Sequence, residues 1–216
     1  MKGLRRRRGF TLIEILVVIA LMGVASTLGA QMLTKVTDCW RQTSIRAELD
    51  AMAENVFERL GKDFADVLSA DVSGVPMVGI TRDLTAHAQY RGQTLADDTL
   101  LLRIRTSTGP ARPLTGATVM YRVEREDKRD LLVQTIGDLL TDIPIGGRIE
   151  MLPNADVLSL CFEYETKTGE WTRPKEEEGW FEKNLPRAVR VTLVLADHDH
   201  PYEQVVRRKV FAVHVD

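Results

Sequence analysis

The sequence predicts an α+β fold in which one long amino-terminal helix, first transmembrane and then a stalk, packs on the antiparallel β-sheet of a globular head. Three observations support this fold. An apolar run extends from Phe10 to Leu33, and a helical stripe of apolar side chains follows from Ile45 to Val67. From about residue 99 onward, short alternating segments lie between turn formers. One helix followed by several neighbouring strands favours a sheet laid on the helix.

The apolar run from Phe10 to Leu33 contains a single charge, at Glu14. About 20 apolar residues match the hydrocarbon core of a bilayer. The basic residues Lys2 and Arg5 to Arg8 precede the run, so we expect them to stay in the cytoplasm while the rest is exported. A secretory signal peptide would have a shorter apolar stretch that ends in a small-residue cleavage site. An uncut signal anchor is the simpler alternative.

Glu14 argues against a simple anchor, because a carboxylate at the centre of a membrane helix costs about 2.5–3.5 kcal/mol, and less near its end. The segment offers no Lys, Arg or His as a partner. We therefore expect a partner that is created after synthesis. Cleavage after Gly9 would produce a positive amine at Phe10, and in an assembled filament this amine can lie beside the Glu14 carboxylate of a neighbour.

The segment RRRRGFTLIEILVVIA, which begins at Arg5, resembles the class III signal of type IV pilin-like proteins. In that family, a prepilin peptidase cleaves after the glycine and methylates the new amine. The resemblance implies that Gly9 and Phe10 form the leader cleavage site, that Phe10 is N-methylated and that Glu14 serves filament assembly. It also implies the pilin fold. The motif covers only about the first 30 residues, so it indicates the class of protein and not the subtype.

The helix is predicted to continue beyond the membrane segment, because its apolar residues recur at steps of three and four: Ile45, Leu49, Met52, Val56, Leu60, Phe64 and Val67. An unbroken helix from Phe10 to about Leu68 would be roughly 90 Å long at 1.5 Å per residue. The predicted organisation is a cleaved cytoplasmic leader (1–9), a transmembrane part of the helix (10–33), an exported amphipathic part (34–70) and a β-rich head (71–216).

Six segments of the head have the pattern of strands and are separated by turn formers such as Gly146-Gly147. The clearest is Ala188–Leu195, in which apolar residues alternate with Arg190 and Thr192. The others are Thr99–Ile104, Ala117–Val123, Leu131–Ile136, Val157–Tyr164 and Val205–Val215.

The later part of the chain resembles the J-type minor pseudopilin of type II secretion, through residues 119–134, 157–171 and 185–197 together with Trp180. This resemblance implies a single-pass protein of the cytoplasmic (inner) membrane, with its head in the periplasm, that is incorporated into a pseudopilus. The implied partners are other minor pseudopilins, the major pseudopilin, the inner-membrane assembly platform, the prepilin peptidase and membrane lipid. The alternative is a minor pilin of a type IV pilus or of a related pilin-like system.

Composition and motifs argue against two other functions. The residues before Gly9 hold five of the 29 basic residues, and the remaining 24 against 31 acidic residues give a formal charge of about −7. This acidic body gives no reason to expect binding of nucleic acid. The sequence contains no G-x-S-x-G, H-E-x-x-H or phosphate-binding glycine motif. We therefore predict a protein that is not an enzyme, with no catalytic residue and no cofactor.

Four groups of side chains leave alternatives open. Asp197–His200 has the residue types of a metal site but more simply forms a polar turn before Pro201, so no metal is predicted. Cys39 and Cys161 are expected to be two buried thiols rather than a disulfide. Trp171 and Trp180 either anchor the charged loop between them, which includes Glu176 to Glu178, or present a surface to a partner. Trp40 suits the membrane interface or packing inside a filament.

Overall fold

The computed structural model describes residues 11–68, 75–82, 95–106, 115–126, 129–139, 146–173 and 185–213. The chain divides into two compact units, Met1–Ser44 and Ile45–Asp216. One helix, α1 (Leu12–Ala65), provides the described part of the first unit and enters the second. The long amino-terminal helix that the sequence predicts is therefore confirmed.

The second unit buries one face of α1, because the apolar stripe faces the rest of the head. The predicted stripe residues Leu49, Val56, Leu60 and Phe64 are each 1% exposed. Ile45 and Met52 are partly buried against the same core. The stripe therefore marks the helix face that the sheets cover, as its 3.6-residue period predicts.

Five strands form the first sheet, in which each strand runs antiparallel to its neighbours in the order β1-β2-β3-β4-β5. They are β1 (Met77–Ile80), β2 (Thr99–Thr106), β3 (Thr115–Arg125), β4 (Asp130–Asp138) and β5 (Arg148–Glu150). Since spatial order equals chain order, this sheet is a simple meander.

Four strands form the second sheet, in the order β7-β6-β8-β9 and again antiparallel. They are β6 (Ala155–Glu165), β7 (Trp171–Thr172), β8 (Ala188–Asp197) and β9 (Gln204–Ala212). The register between β6 and β8 shifts between Val157 and Ser159.

The six strands expected from the sequence are all present, but they lie in two sheets instead of one. The first sheet ends at β5, which has three residues. Pro153 and Asn154 then form a turn before β6 begins, and β6 pairs with β8 in a new sheet. The short strands β1, β5 and β7 were not predicted, because two to four residues are too few to show a period.

A short segment before β2 joins the two sheets. Leu160 donates its backbone N–H to the carbonyl of Ala96 at 2.7 Å, and the Ser159 hydroxyl donates to the same oxygen at 3.0 Å. Asp97 forms a parallel bridge with Leu160, and its carboxylate accepts a hydrogen bond from Arg125 Nε at 2.8 Å. Side chains from both sheets and from α1 consequently share one hydrophobic core.

Candidate processing and assembly site

The first turn of α1 contains Glu14, the predicted assembly residue. The backbone N–H of Thr11 donates to Glu14 Oε2 at 3.4 Å, and the Glu14 N–H donates to the Thr11 carbonyl at 3.1 Å. This is the glutamate half of a capping box, in which a residue three positions into the helix reaches back to the N-cap. The carboxylate also lies at the positive end of the helix dipole.

Glu14 thus has a local partner, the backbone N–H of Thr11, in addition to any charged side chain. The signal for it is present in the sequence, because Thr11 and Glu14 have the Thr-x-x-Glu spacing of a capping box. The distance of 3.4 Å is at the long end for a hydrogen bond. The contact therefore leaves the carboxylate available for a stronger donor.

Gly9 and Phe10, the other two predicted site residues, lie outside the described part of the chain. Their roles in cleavage and methylation stay predictions. Among the described residues, Thr11 is the first and lies one residue after Phe10.

Among the described residues, α1 is the one helix that is long and apolar enough to cross a membrane. None of its apolar, membrane-length segment is buried inside the chain. Leu12 and Ile13 are 84% and 72% exposed. A run of exposed apolar side chains in this position fits a membrane-anchored, single-pass protein.

Two threonine hydroxyls, that of Thr27 within the apolar run and that of Thr34 directly after it, donate hydrogen bonds to carbonyl groups of the same helix. The Thr27 hydroxyl donates to the carbonyl of Val24 at 2.8 Å, and the Thr34 hydroxyl donates to that of Gln31 at 2.9 Å. Such internal bonds are the way in which a helix carries threonine in lipid. The Glu14 carboxylate is the one charged group of this run, and a positively charged partner would stabilise it.

The two cysteines do not form a disulfide, but the expectation that both are buried is wrong. Cys39 is exposed on α1, since it precedes the stretch that the sheets cover from Leu49 onward. Cys161 is half-buried on β6. Trp40, beside Cys39, is 79% exposed, and its use at a membrane interface or inside a filament stays a prediction.

The segment Asp197–His200 forms the turn between β8 and β9, and its two histidines contact different carboxylates. His198 Nδ1 lies 3.0 Å from Asp156 Oδ2, while His200 Nδ1 lies 2.8 Å from Asp197 Oδ1. No group of three or more His, Cys, Asp or Glu residues with the arrangement of a metal site occurs in the part of the chain that the structure describes. Glu176 to Glu178 lie outside that part.

Trp171 is held on the second sheet by a cation–π contact. The Arg190 guanidinium carbon lies 3.9 Å from the centre of the Trp171 ring, which is half-buried. Two residues later, Arg173 Nη2 donates to Asp98 Oδ1 at 2.9 Å. These contacts favour the anchoring role for Trp171, whereas Trp180 lies outside the described residues.

Two buried carboxylates of the head have raised pKa values. Burial raises the pKa of Asp98, although Arg173 and the backbone N–H groups of Phe162 and Arg82 all donate to it. Burial likewise raises the pKa of Asp63, which accepts hydrogen bonds from Tyr121 and Gln134. Raised pKa values also occur in active sites, but here the donors tie elements of the fold together, which is a structural use.

A comparison with protein families gives one match. Residues 4–30 match the family described as the prokaryotic N-terminal methylation motif. The matched range includes Gly9, Phe10 and Glu14, and it indicates a type IV pilin-like protein. No curated protein matches the chain.

Proposed function

We propose, from the prokaryotic N-terminal methylation motif at residues 4–30, that the chain is a minor pseudopilin of a type II secretion system. In this proposal a prepilin peptidase removes residues 1–9 and methylates Phe10. Residues 10–33 then anchor the protein in the cytoplasmic membrane, the amphipathic part of the helix follows over 34–70, and the head (71–216) lies in the periplasm. The protein acts as a structural subunit and not as an enzyme.

The observation that carries the proposal is a charged side chain at the start of an exposed apolar helix. Glu14 lies in the first turn of α1, and its partner among the described residues is the backbone N–H of Thr11. A protonated amine on a neighbouring chain would form a charge-assisted contact, which is stronger in a medium of low dielectric constant. That contact would fix the axial position of a subunit entering the filament.

The packing of the head supports a structural role. Two of its buried carboxylates, Asp63 and Asp98, accept hydrogen bonds from side chains and backbone groups of other elements of the head. The expected partners are other minor pseudopilins, the major pseudopilin and the inner-membrane assembly platform. A minor pilin of a type IV pilus remains the second candidate, because the same motif occurs at the amino terminus of both kinds of subunit.

Mass spectrometry of the membrane protein tests the first step of this proposal. We expect a chain that begins at Phe10 and carries a methyl group on its amine. Gly9→Leu should block cleavage, because it places bulk where the peptidase needs a small residue, while Gly3→Leu in the same leader should not. An intact Met1 in cells that contain a prepilin peptidase would overturn the proposal.

The subunits that co-purify with the processed protein distinguish the two candidate functions. Pseudopilus subunits would support the secretion system, whereas pilus subunits would show that the chain is a minor pilin. Either result is compatible with cleavage after Gly9 and methylation of Phe10. The test of processing and the test of filament type can therefore fail independently.

A further inference from the structure

The part of α1 in the second unit has two attachments to the head. The first is a row of ion pairs to Glu203 and to β9, the strand that follows it. Arg46 Nε lies 3.0 Å from Glu203 Oε2. One and two turns further along the helix, Asp50 pairs with Arg207 and Glu54 pairs with Lys209. The three ion pairs are partly exposed to solvent. Ion pairs of this kind are screened by salt.

The second attachment lies in the last turns of α1 and is buried. Asp63 is 6% exposed, and its Oδ2 accepts hydrogen bonds from the Tyr121 hydroxyl and from Gln134 Nε2, the latter at 3.1 Å. Gln134 Nε2 also donates to the Tyr121 oxygen at 2.8 Å. Tyr121 and Gln134 are each 1% exposed. A closed triangle of hydrogen bonds therefore links α1 to β3 and β4.

The backbone continues this attachment just beyond the helix. Leu68 donates its N–H to the carbonyl of Arg103 at 2.8 Å, and Arg105 donates to that of Asp66 at 2.7 Å. Val67 forms an antiparallel bridge with Ile104 of β2. The residues that follow α1 are consequently paired with the five-stranded sheet, whereas the ion pairs join earlier turns of the helix to the four-stranded sheet and to Glu203 before it.

The charged groups near Asp63 lie on α1 and directly after it, and its neutral hydrogen-bond donors lie on β3 and β4. On α1, the Arg59 guanidinium lowers the pKa of Asp63, and directly after the helix the Asp66 carboxylate raises it. On β3, the hydroxyl of Tyr121 lowers it, and β4 contributes the neutral Gln134, whose hydrogen bond also lowers it. Burial is the largest influence and leaves the pKa of Asp63 raised. Burial and the neighbouring Asp63 raise the pKa of Tyr121 as well, so its hydroxyl stays protonated as a donor.

We propose that Asp63, Tyr121 and Gln134 form a proton-linked latch, which holds the end of α1 on the five-stranded sheet and which acid tightens. The latch acts separately from the ion pairs on β9, which respond to salt.

The direction of the pH response follows from the raised pKa. A carboxyl group whose pKa is higher in the folded state binds its proton more tightly there than in the unfolded chain. Its contribution to stability is greatest at low pH, and it declines as the pH rises from 3.8, the usual pKa of an aspartate, to the raised pKa of the folded state. The exposed Glu58 behaves in the opposite way, because the hydrogen bond from Lys62 lowers its pKa.

Hydrogen exchange of the full-length protein in a non-ionic detergent tests the latch. Protection factors are compared for amides 60–65, near the latch, and for amides 46–54, near the ion pairs, between pH 4 and 7. Asp63→Asn keeps the side-chain shape but does not titrate. We expect protection of 60–65, relative to this variant, to fall as the pH rises, by about tenfold for each unit by which the pKa is raised.

Three further variants separate the latch from its alternatives. Protection of 60–65 in the natural chain, relative to Glu58→Gln, should rise as the pH rises, which is the opposite sign. Glu54→Gln should weaken the salt response of 46–54, because two of the three ion pairs remain, and should leave the pH response of 60–65 unchanged. Tyr121→Phe removes a donor that lowers the pKa of Asp63, so it should extend the pH-dependent range upward, and this holds even if Asp63→Asn does not fold. An unchanged pH response in Asp63→Asn, or an unchanged range in Tyr121→Phe, would overturn the proposal.

Discussion

At the residue scale, Glu14 is the side chain whose role in assembly is most open to test. Glu14→Ala should not hinder membrane insertion, because removing a charge from the apolar run lowers the cost of insertion. Cleavage after Gly9 should continue, but the mutant should accumulate in the membrane and fail to co-purify with the other subunits. Glu14→Asp, which is shorter by one methylene, should assemble partly.

Thr11→Ala is the matched control for this prediction. The described bonds of Thr11 to the first turn use its backbone N–H and carbonyl, which alanine retains. The control should therefore assemble normally. If Glu14→Ala also assembled normally, the subunit would enter the filament through its head alone, and the assembly role of Glu14 would be refuted.

A second prediction at this scale concerns Gly79 on β1. A Cβ atom at this position would lie 1.8 Å from Tyr164 Oη and 2.6 Å from its Cζ. Tyr164 is 1% exposed, so its ring cannot retreat into solvent. Gly79→Ala should lower the free energy of unfolding by about 1–3 kcal/mol, as overpacking does.

Gly147→Ala serves as the control, because no heavy atom lies within 4 Å of the Cβ it would add. Its free energy of unfolding should stay within about 0.5 kcal/mol of the natural chain. Urea titration of both variants measures the difference. Equal stabilities would show that β1 can shift away from Tyr164 at no cost.

At the element scale, the packing of α1 on the sheets depends on three phenylalanines. The Phe64 ring stacks on Phe211 of β9 with centroids 5.2 Å apart, and Phe57 lies 6.0 Å from the same ring. Phe64→Ala should lower the free energy of unfolding by about 3–5 kcal/mol, because it leaves a cavity under the helix. In urea unfolding, the exposed Lys62→Ala should change that free energy by about 0.5 kcal/mol or less.

The sequence predicts these elements to different degrees, for physical reasons. The stripe of α1 and the six longer strands were predictable, because burial on one face imposes a period on the side chains. The separation into two sheets was not, since it depends on where β5 ends and on the pairing of Ala96 with Leu160, which are far apart in the sequence. The polar cluster of Asp63, Tyr121 and Gln134 was missed for the same reason.

The candidate site shows a similar contrast. Glu14 was recognisable because a charge in an apolar run is costly, and residues 4–30 match the corresponding motif. The partner of Glu14 within the chain is the backbone N–H of Thr11, which a pattern of charged residues does not indicate. A sequence therefore shows the period of buried side chains and the presence of a charge that is costly in an apolar run. Contacts between residues that are far apart in the sequence require the structure.

At the scale of the whole molecule, the head should fold only with its part of α1. A chain that begins at Arg41 keeps every buried residue of the helix from Leu49 to Phe64 and should be soluble and monomeric. A chain that begins at Val72 lacks this cover, which exposes the apolar faces of the sheets and should cause aggregation. Size-exclusion chromatography compares the two. Equal solubility would contradict the packing of the helix on the sheets.

The ion pairs between α1 and β9 also impose an order of events on a newly made chain. Asp50 and Arg207 are 157 residues apart, and Glu54 and Lys209 are 155 residues apart. Synthesis begins at the amino terminus, so α1 cannot form its ion pairs with β9 until nearly the whole chain has been made. Contacts between such distant residues form slowly. A chain whose synthesis stalls before Gln204 would thus lack the partners of Asp50 and Glu54. In such a chain α1 would not be fixed to β9 and would be more accessible to proteases.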